Sequence, residues 1–422
     1  MDMNLNMAQS VTLLHALYRG DEQVRAQLRL ITSEGWNNIL SQLTLTGLAP
    51  LFFSRLANTS LAADVPATVL QALQEEYFLH GARNMIIFND LCSLLEELRP
   101  RGITVLVLKG GCLAEMVYGD IALRPMRDID ILVRRKHLEE VEQVLIGMGY
   151  GPGERPPIKE QCGMHHHLIP FTRPGGPPIE VHWSLTPAGC RFPMTLEDLE
   201  EKAREVYVNG SSALMLCPGD LLVHLCLHIC TNHCFSMLEL RNLCDIAEVL
   251  RHYGDEIDWK SVGERTRRFG VGKYVYSTLI VAERLFGAAL PPEALELIDH
   301  DDNDTAISEI IAGYILDNRA LPLPDLFGQL NGSKNLVQTL GAFFRALFPG
   351  YDHLARKYGF TPIEAPYGFS LYLRHWIEAL ARGAHLLAHL LLRSKKVRAT
   401  VRRRRQELII HKWLSSGTAS RL

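Results

Sequence analysis

The chain has no uninterrupted apolar run long enough to cross a bilayer, because charges or histidines break every long hydrophobic stretch. A membrane-spanning segment is therefore not expected. A basic-then-apolar leader is also missing at Met1–Asn6, which argues against secretion. Cysteine is modest, nine in 422 residues, and its placement shows neither a disulfide framework nor paired finger spacing. Reduced thiols in a cytoplasm fit that usage. No repeat of fixed period marks a solenoid. A strong charge of one sign is absent too, the formal net charge being −3. What basic charge there is gathers at "RSKKVRATVRRRR" (393–405), which holds eight Lys or Arg and leaves the rest of the chain acidic. No aromatic residue interleaves with those arginines, so bases would find no stacking platform and nucleic acid is not an expected partner.

What is present suffices for two or three cored units, at 47% hydrophobic and 22% charged residues. Residues 1–100 read as helices, with apolar positions three and four apart in "WNNILSQLTLTGLAPLFFSRL" and "ATVLQALQEEYFLHGARNMIIFNDLCSLLEEL". Pro66 suits a first helical turn, and "RPRG" (99–102) stops the last helix. Residues 101–210 change character. "ITVLVL" (103–108) and "DIDILV" (128–133) read as strands, and "LEEVEQVLIGMGY" as a helix with Leu138, Val141, Leu145 and Met148 on one stripe. "HHHLIPF" and "IEVHWSL" flank the turn "TRPGGPP", giving two antiparallel strands. Residues 211–320 return to helices, and 321–422 mix Pro- and Gly-rich loops with a basic amphipathic helix. The fold class is α+β, a small mixed sheet with helices packed on it and helical regions on either side. Over residues 375–405 an apolar helix runs directly into lysines and arginines, which suits a peripheral contact with anionic lipid, burial against the body, or a solvated helix end.

The stretch "RPMRDIDILV" (124–133) carries the chemistry. Residues two apart on a strand share a face, so Asp128 and Asp130 project together while Ile129, Ile131 and Val133 face the other way. Like charges so close raise one another's pKa unless a cation stands between them. Magnesium, which takes hard oxygen ligands and recruits carboxylates with substrate phosphates, suits that place; a structural or incidental Asp-x-Asp would read the same. Upstream, "ITVLVL" runs into Lys109-Gly110-Gly111 just before a helix, where backbone amides favour anions, although a tight turn alone would also use Gly-Gly. Downstream, "IEVHW" puts Glu180 and His182 on one strand face. Glu180 is then a third acid for the pair, or an edge charge facing water.

Together, "LKGGCLAEMVYGDIALRPMRDIDILV", "MGY", "HHHL", "IEVHWSL" and "CPGDLLVHLCLH" resemble a bacterial family of uncharacterised nucleotidyltransferases within the superfamily typified by DNA polymerase beta. The likeness is strongest over about residues 100 to 260. Gly111 fits the superfamily's glycine motif, and Lys109 before it belongs to the narrower family. The resemblance implies an enzyme that moves a nucleoside monophosphate from ATP or another nucleoside triphosphate to an acceptor hydroxyl, with two Mg2+ ions held by Asp128, Asp130 and Glu180 as metal ligands and catalytic residues. It further implies phosphate contacts from Lys109, Gly110, Gly111, Arg124 and Arg127, and a nucleotide pocket lined by His165, His167 and His182. The acceptor is a small molecule, glycan or peptide. The alternative is a catalytically silent accessory protein of a polysaccharide or modified-peptide pathway. Two other clusters invite a metal. In His165–His167, alternation turns His166 away from its neighbours; Cys226, Cys230 and Cys234 share a helix face but are equally ordinary core residues.

Overall fold

The computed structural model describes residues 10–17, 23–57, 59–151, 156–186, 193–232, 235, 240–316, 351, 354, 370–378 and 395–416. Two compact units form, one of residues 1–316 with 409–422 and one of residues 317–408. In the second, Leu354 and Leu371 are buried, with Tyr351 and Tyr372 packed against them.

The first unit is α+β. Residues 10–17 form α1, followed by α2 (Gln23–Leu30), α3 (Ser33–Thr46), α4 (Ala49–Ala57) and the long α5 (Ala67–Leu98). Local chemistry sets the ends of these helices. Thr32 caps α3 by accepting from the Gly35 amide, and Gly47, at φ 70°, closes it. Pro66 stands just before α5, where its missing N–H costs nothing, and Gly102 at φ 68° turns the chain away after "RPR". On α5, Ile87, Leu91, Leu94 and Leu98 are buried at helical spacing.

The sheet is five-stranded and mixed, in the order β3-β2-β1-β5-β4. Its strands are β1 (Leu106–Val107), β2 (Ile129–Leu132), β3 (Ile179–His182), β4 (Arg204–Val208) and β5 (Ser211–Met215). β1 runs antiparallel to β2 and parallel to β5, while β2 and β3 are parallel. Although β1 is short, its pairing reaches further: the Leu108 amide donates to the Asp130 carbonyl, and the Leu214 amide to that of Val105. The β4–β5 hairpin lies outside the strands expected above. It turns through Asn209 and Gly210, both at positive φ (45° and 87°), the Asn-Gly signature of a two-residue hairpin. The arm around "HHHLIPF" pairs antiparallel with β3 through His167–His182 and Phe171–Ile179 bridges.

Short helices α6 (Gly110–Met116), α7 (Leu138–Gly147), α8 (Ile158–Met164) and α9 (Leu196–Leu199) join these strands. Leu138, Val141 and Leu145 of the expected stripe are buried on α7, Met148 just past its end is half-buried, and Gly149 follows at φ 83°. Beyond the sheet come α10 (Pro218–Asn232), α11 (Leu240–Tyr253), α12 (Trp259–Phe269), α13 (Gly272–Phe286), α14 (Pro292–Leu297) and α15 (Asp302–Leu316). One continuous apolar core joins the sheet to these helices and reaches Ile410 and Trp413 near the C-terminus. There Trp413 Nε1 donates to Asp304 Oδ1 at 2.7 Å. No helix among the described residues is long and apolar enough to cross a membrane. Of the 375–405 stretch, residues 379–394 lie outside the described residues.

Candidate active site

The site begins with strand register. Asp130 on β2 is the direct partner of Glu180 on the parallel β3, so both carboxylates leave the sheet on one face, and His182 joins them two residues on. His182 Nε2 lies 2.9 Å from Asp130 Oδ1 and 3.5 Å from Glu180 Oε2. One ligand atom from each of Asp130, Glu180 and His182 falls within 4.8 Å of the other two. This grouping shares Asp130 and Glu180 with the expected metal set and adds His182. Asp128 faces the same cleft, and the charges of Asp130 and Glu180 both act on its carboxyl.

Electrostatics separate the two aspartates. Burial first, and then the charge of Asp130, push the Asp128 carboxyl up. Burial also opposes ionisation of Asp130, yet the Lys109 ammonium and the His182 imidazole outweigh it and hold that carboxyl well below the usual carboxylate range. His182 is raised in turn: burial disfavours its charge, but its bonds to Asp130 and Glu180 prevail. Its Nδ1 is buried without a partner among the described residues.

Lys109 reaches this group from the β1–α6 turn, its Nζ 2.9 Å from Asp130 Oδ1. Its backbone sits at φ 44° and ψ −121°, a region that favours glycine. Such strain persists only where the surroundings over-determine it, and it clusters at functional sites. The two glycines that follow differ in environment. A Cβ on Gly110 would stand 2.6 Å from Arg124 Nη1, on the cleft side, whereas one on Gly111 would stand 2.6 Å from Val107 Cγ1, in the core. Both amides precede the first intrahelical donors of α6, Cys112 and Leu113, which bond the Lys109 carbonyl.

A cleft of about 630 Å³ opens over these residues, within the usual range for a small-molecule site. Asp128, Asp130 and Glu180 line it together with Arg83 from α5, Arg124 and Arg127 from the loop before β2, and Arg241 from α11. Arg124 is buried and forked onto Asp245, with Nε 3.0 Å from Oδ1 and Nη2 2.8 Å from Oδ2. Arg127 is exposed at the rim.

Residues 32–287 match the family described as uncharacterised nucleotidyltransferases. The chain belongs to that family. Neither any curated protein nor any solved structure matches it. The nucleotidyltransferase match spans the whole sheet, the cleft and helices α3 to α13.

In this nucleotidyltransferase, Lys109, Gly110, Arg124, Arg127, Asp128, Asp130 and Glu180 converge on one cleft. Gly111 lies against the core, and His182 is buried behind Asp130. His166 and His167 line the cleft while His165 is exposed outside that lining. The alternation expected for the three histidines fails because the backbone bends at His166, and its ring approaches both His167 (4.8 Å) and His182 (5.7 Å). Burial and neighbouring imidazoles push His166 down to about 3. Behind the site His224 on α10 is buried with neither ring nitrogen bonded among the described residues, also pushed down to about 3 by burial and then by Lys109 and His182. Cys226 and Cys230 pack in the core, Cys230 against Thr278 Oγ1 at 3.1 Å; Cys234 lies outside the described residues. Asp245 takes Arg124 as its partner, and Arg241 donates instead to the Pro125 carbonyl at 3.0 Å. Arg83, His80 and His228 join the cleft lining without having been expected there. Each sits on a helix whose spacing speaks only of which side is buried.

Proposed function

We propose that this family member transfers a nucleoside monophosphate from a nucleoside triphosphate to an acceptor hydroxyl. The observation that carries the reading is the convergence of Asp130 and Glu180, register partners on adjacent strands, with Lys109 and Asp128 in one cleft. The two hard carboxylates fit magnesium when substrate phosphates complete its sphere, with the His182 imidazole bonded to both of them. Asp130 and Glu180, with Asp128 facing the same space, would hold two magnesium ions. Bound there, such ions activate the acceptor hydroxyl and neutralise the departing pyrophosphate.

The chain's own groups do the rest. The new bond joins the acceptor oxygen to the α-phosphorus, the α–β bridging bond breaks, and pyrophosphate leaves with that electron pair. Asp128, its carboxyl raised by burial and by Asp130, is suited to receive the acceptor's proton. Lys109, Arg124 and Arg127 supply positive charge for the triphosphate, and the Gly110 amide offers a donor at a point where a side chain would collide with Arg124. His182 fixes the orientation of Asp130 and Glu180.

A thermal-shift panel of nucleoside triphosphates with and without magnesium tests this reading. Stabilisation that needs both nucleotide and metal, and that vanishes in Asp130→Asn, supports transfer chemistry. Stabilisation indifferent to metal supports a silent nucleotide-binding protein instead.

A further inference from the structure

Many arginines of the first unit pair with carboxylates, Arg29 with Asp64, Arg173 with Asp90, Arg265 with Asp220 and Arg268 with Asp198, while Arg99 and Arg267 bond backbone carbonyls. The cleft gathers four. Arg83, Arg124, Arg127 and Arg241 all line it, yet among the described residues only Arg124 is bonded to a carboxylate, that of Asp245. Arg241 is held in place by a neutral acceptor, the Pro125 carbonyl, at 3.0 Å. Its Nε is buried without a partner among the described residues. Burial and the neighbouring guanidinium of Arg124 press its pKa down, as expected where like charges crowd. Arg83 stands exposed on the facing helix α5.

Phosphates of the nucleotide leave part of this charge unanswered. Two divalent ions offset a fully ionised triphosphate, and the three carboxylates exceed Lys109 by two charges. Arg124 is already answered by Asp245. Three guanidiniums then face two negative charges, and with Arg127 assigned to the triphosphate, Arg83 on α5 and Arg241 on α11 are the two left without a role. We infer that Arg83 and Arg241 seat an anionic group of the acceptor, a phosphate ester or carboxylate, close to the hydroxyl that receives the nucleotide. Fixed guanidiniums are suited to such a group because their planar fork matches its oxygens. The inference rests on the transferase reading and names its acceptor class.

Inorganic phosphate is the probe. Calorimetric titration of phosphate into full-length protein preloaded with magnesium and a non-hydrolysable triphosphate should show saturable binding. Arg83→Gln and Arg241→Gln should each weaken that binding at least fivefold while changing triphosphate affinity less than twofold. Arg241→Lys, which keeps the charge and loses the fork, should fall between. Phosphate binding that disappears on preloading, or triphosphate affinity that falls in step with phosphate affinity, overturns the inference by assigning both arginines to the nucleotide's own tail. Arginine-dependent phosphate binding in a protein that takes up no triphosphate overturns the transferase reading, and the acceptor assignment with it, but not the anion site.

Discussion

Lys109 Nζ lies 2.9 Å from Asp130 Oδ1, and the two side chains are 10% and 2% exposed. The lysine thus occupies a cation's place beside the most buried acid of the site. Breaking a buried pair strands its remaining charge, which costs about 3 kcal/mol or more. Lys109→Met should lose stability on that scale in denaturant titrations, the loss softened by His182. Magnesium should then restore more stability to the variant than it adds to the native protein, because Asp130 has lost its internal cation. Equal magnesium effects on both proteins would contradict this.

The neighbouring glycines should respond differently. Gly110→Ala brings a Cβ within 2.6 Å of Nη1 of Arg124, whose buried guanidinium is forked onto Asp245, and within 3.0 Å of the Met126 side chain, so triphosphate affinity should fall several-fold together with a loss of stability. Gly111→Ala meets Val107 Cγ1 at 2.6 Å and Leu91 Cδ2 at 3.2 Å, and overpacking of that kind costs about 1–3 kcal/mol. Denaturation midpoints and nucleotide titrations on both variants check the contrast.

Asp245→Asn should be among the most damaging single changes near the cleft. It leaves the Arg124 guanidinium, 5% exposed, without its counter-charge. A loss of about 3–5 kcal/mol is expected, together with weaker triphosphate binding as Arg124 moves. Arg251→Gln, whose guanidinium is a quarter exposed beside Glu248, should cost less in the same denaturant series.

Acid should destabilise the protein through its buried imidazoles. His166 and His224 are held neutral, each pushed down to about 3, against about 6.5 in an unfolded chain. Between those values the unfolded state binds more protons. The stability they contribute is therefore complete above about pH 6.5 and drains away as pH falls toward about 3. His224→Leu, which cannot titrate, should flatten the decline in melting temperature between pH 7 and pH 5. An unchanged slope would contradict the assignment.

Much of the acid side of the cleft was legible in the sequence because a strand has a period of two. That period alone puts Asp128 with Asp130 and Glu180 with His182, and the parallel register of β2 and β3 then brings Asp130 opposite Glu180. Among the arginines, Arg124 and Arg127 were expected through the family resemblance and line the cleft, but Arg83 and Arg241 were not legible. Arg83 and Arg241 come from helices far apart in sequence, and helical spacing tells which side is buried but not which distant loop it will face. His166 escaped for a local reason, since alternation holds only while the backbone stays extended and the chain bends there. The β4–β5 hairpin did have a signal, Asn209-Gly210 between alternating residues.

The most direct test is an anomalous difference map from crystals soaked with manganese and a non-hydrolysable triphosphate. A peak is predicted between Asp130 and Glu180, with carboxylate oxygens at about 2.1–2.2 Å and a triphosphate oxygen completing the sphere. Lys109 should have turned from Asp130 toward the phosphates. A triphosphate bound in the cleft with no metal at these acids, and Lys109 still on Asp130, would contradict the account.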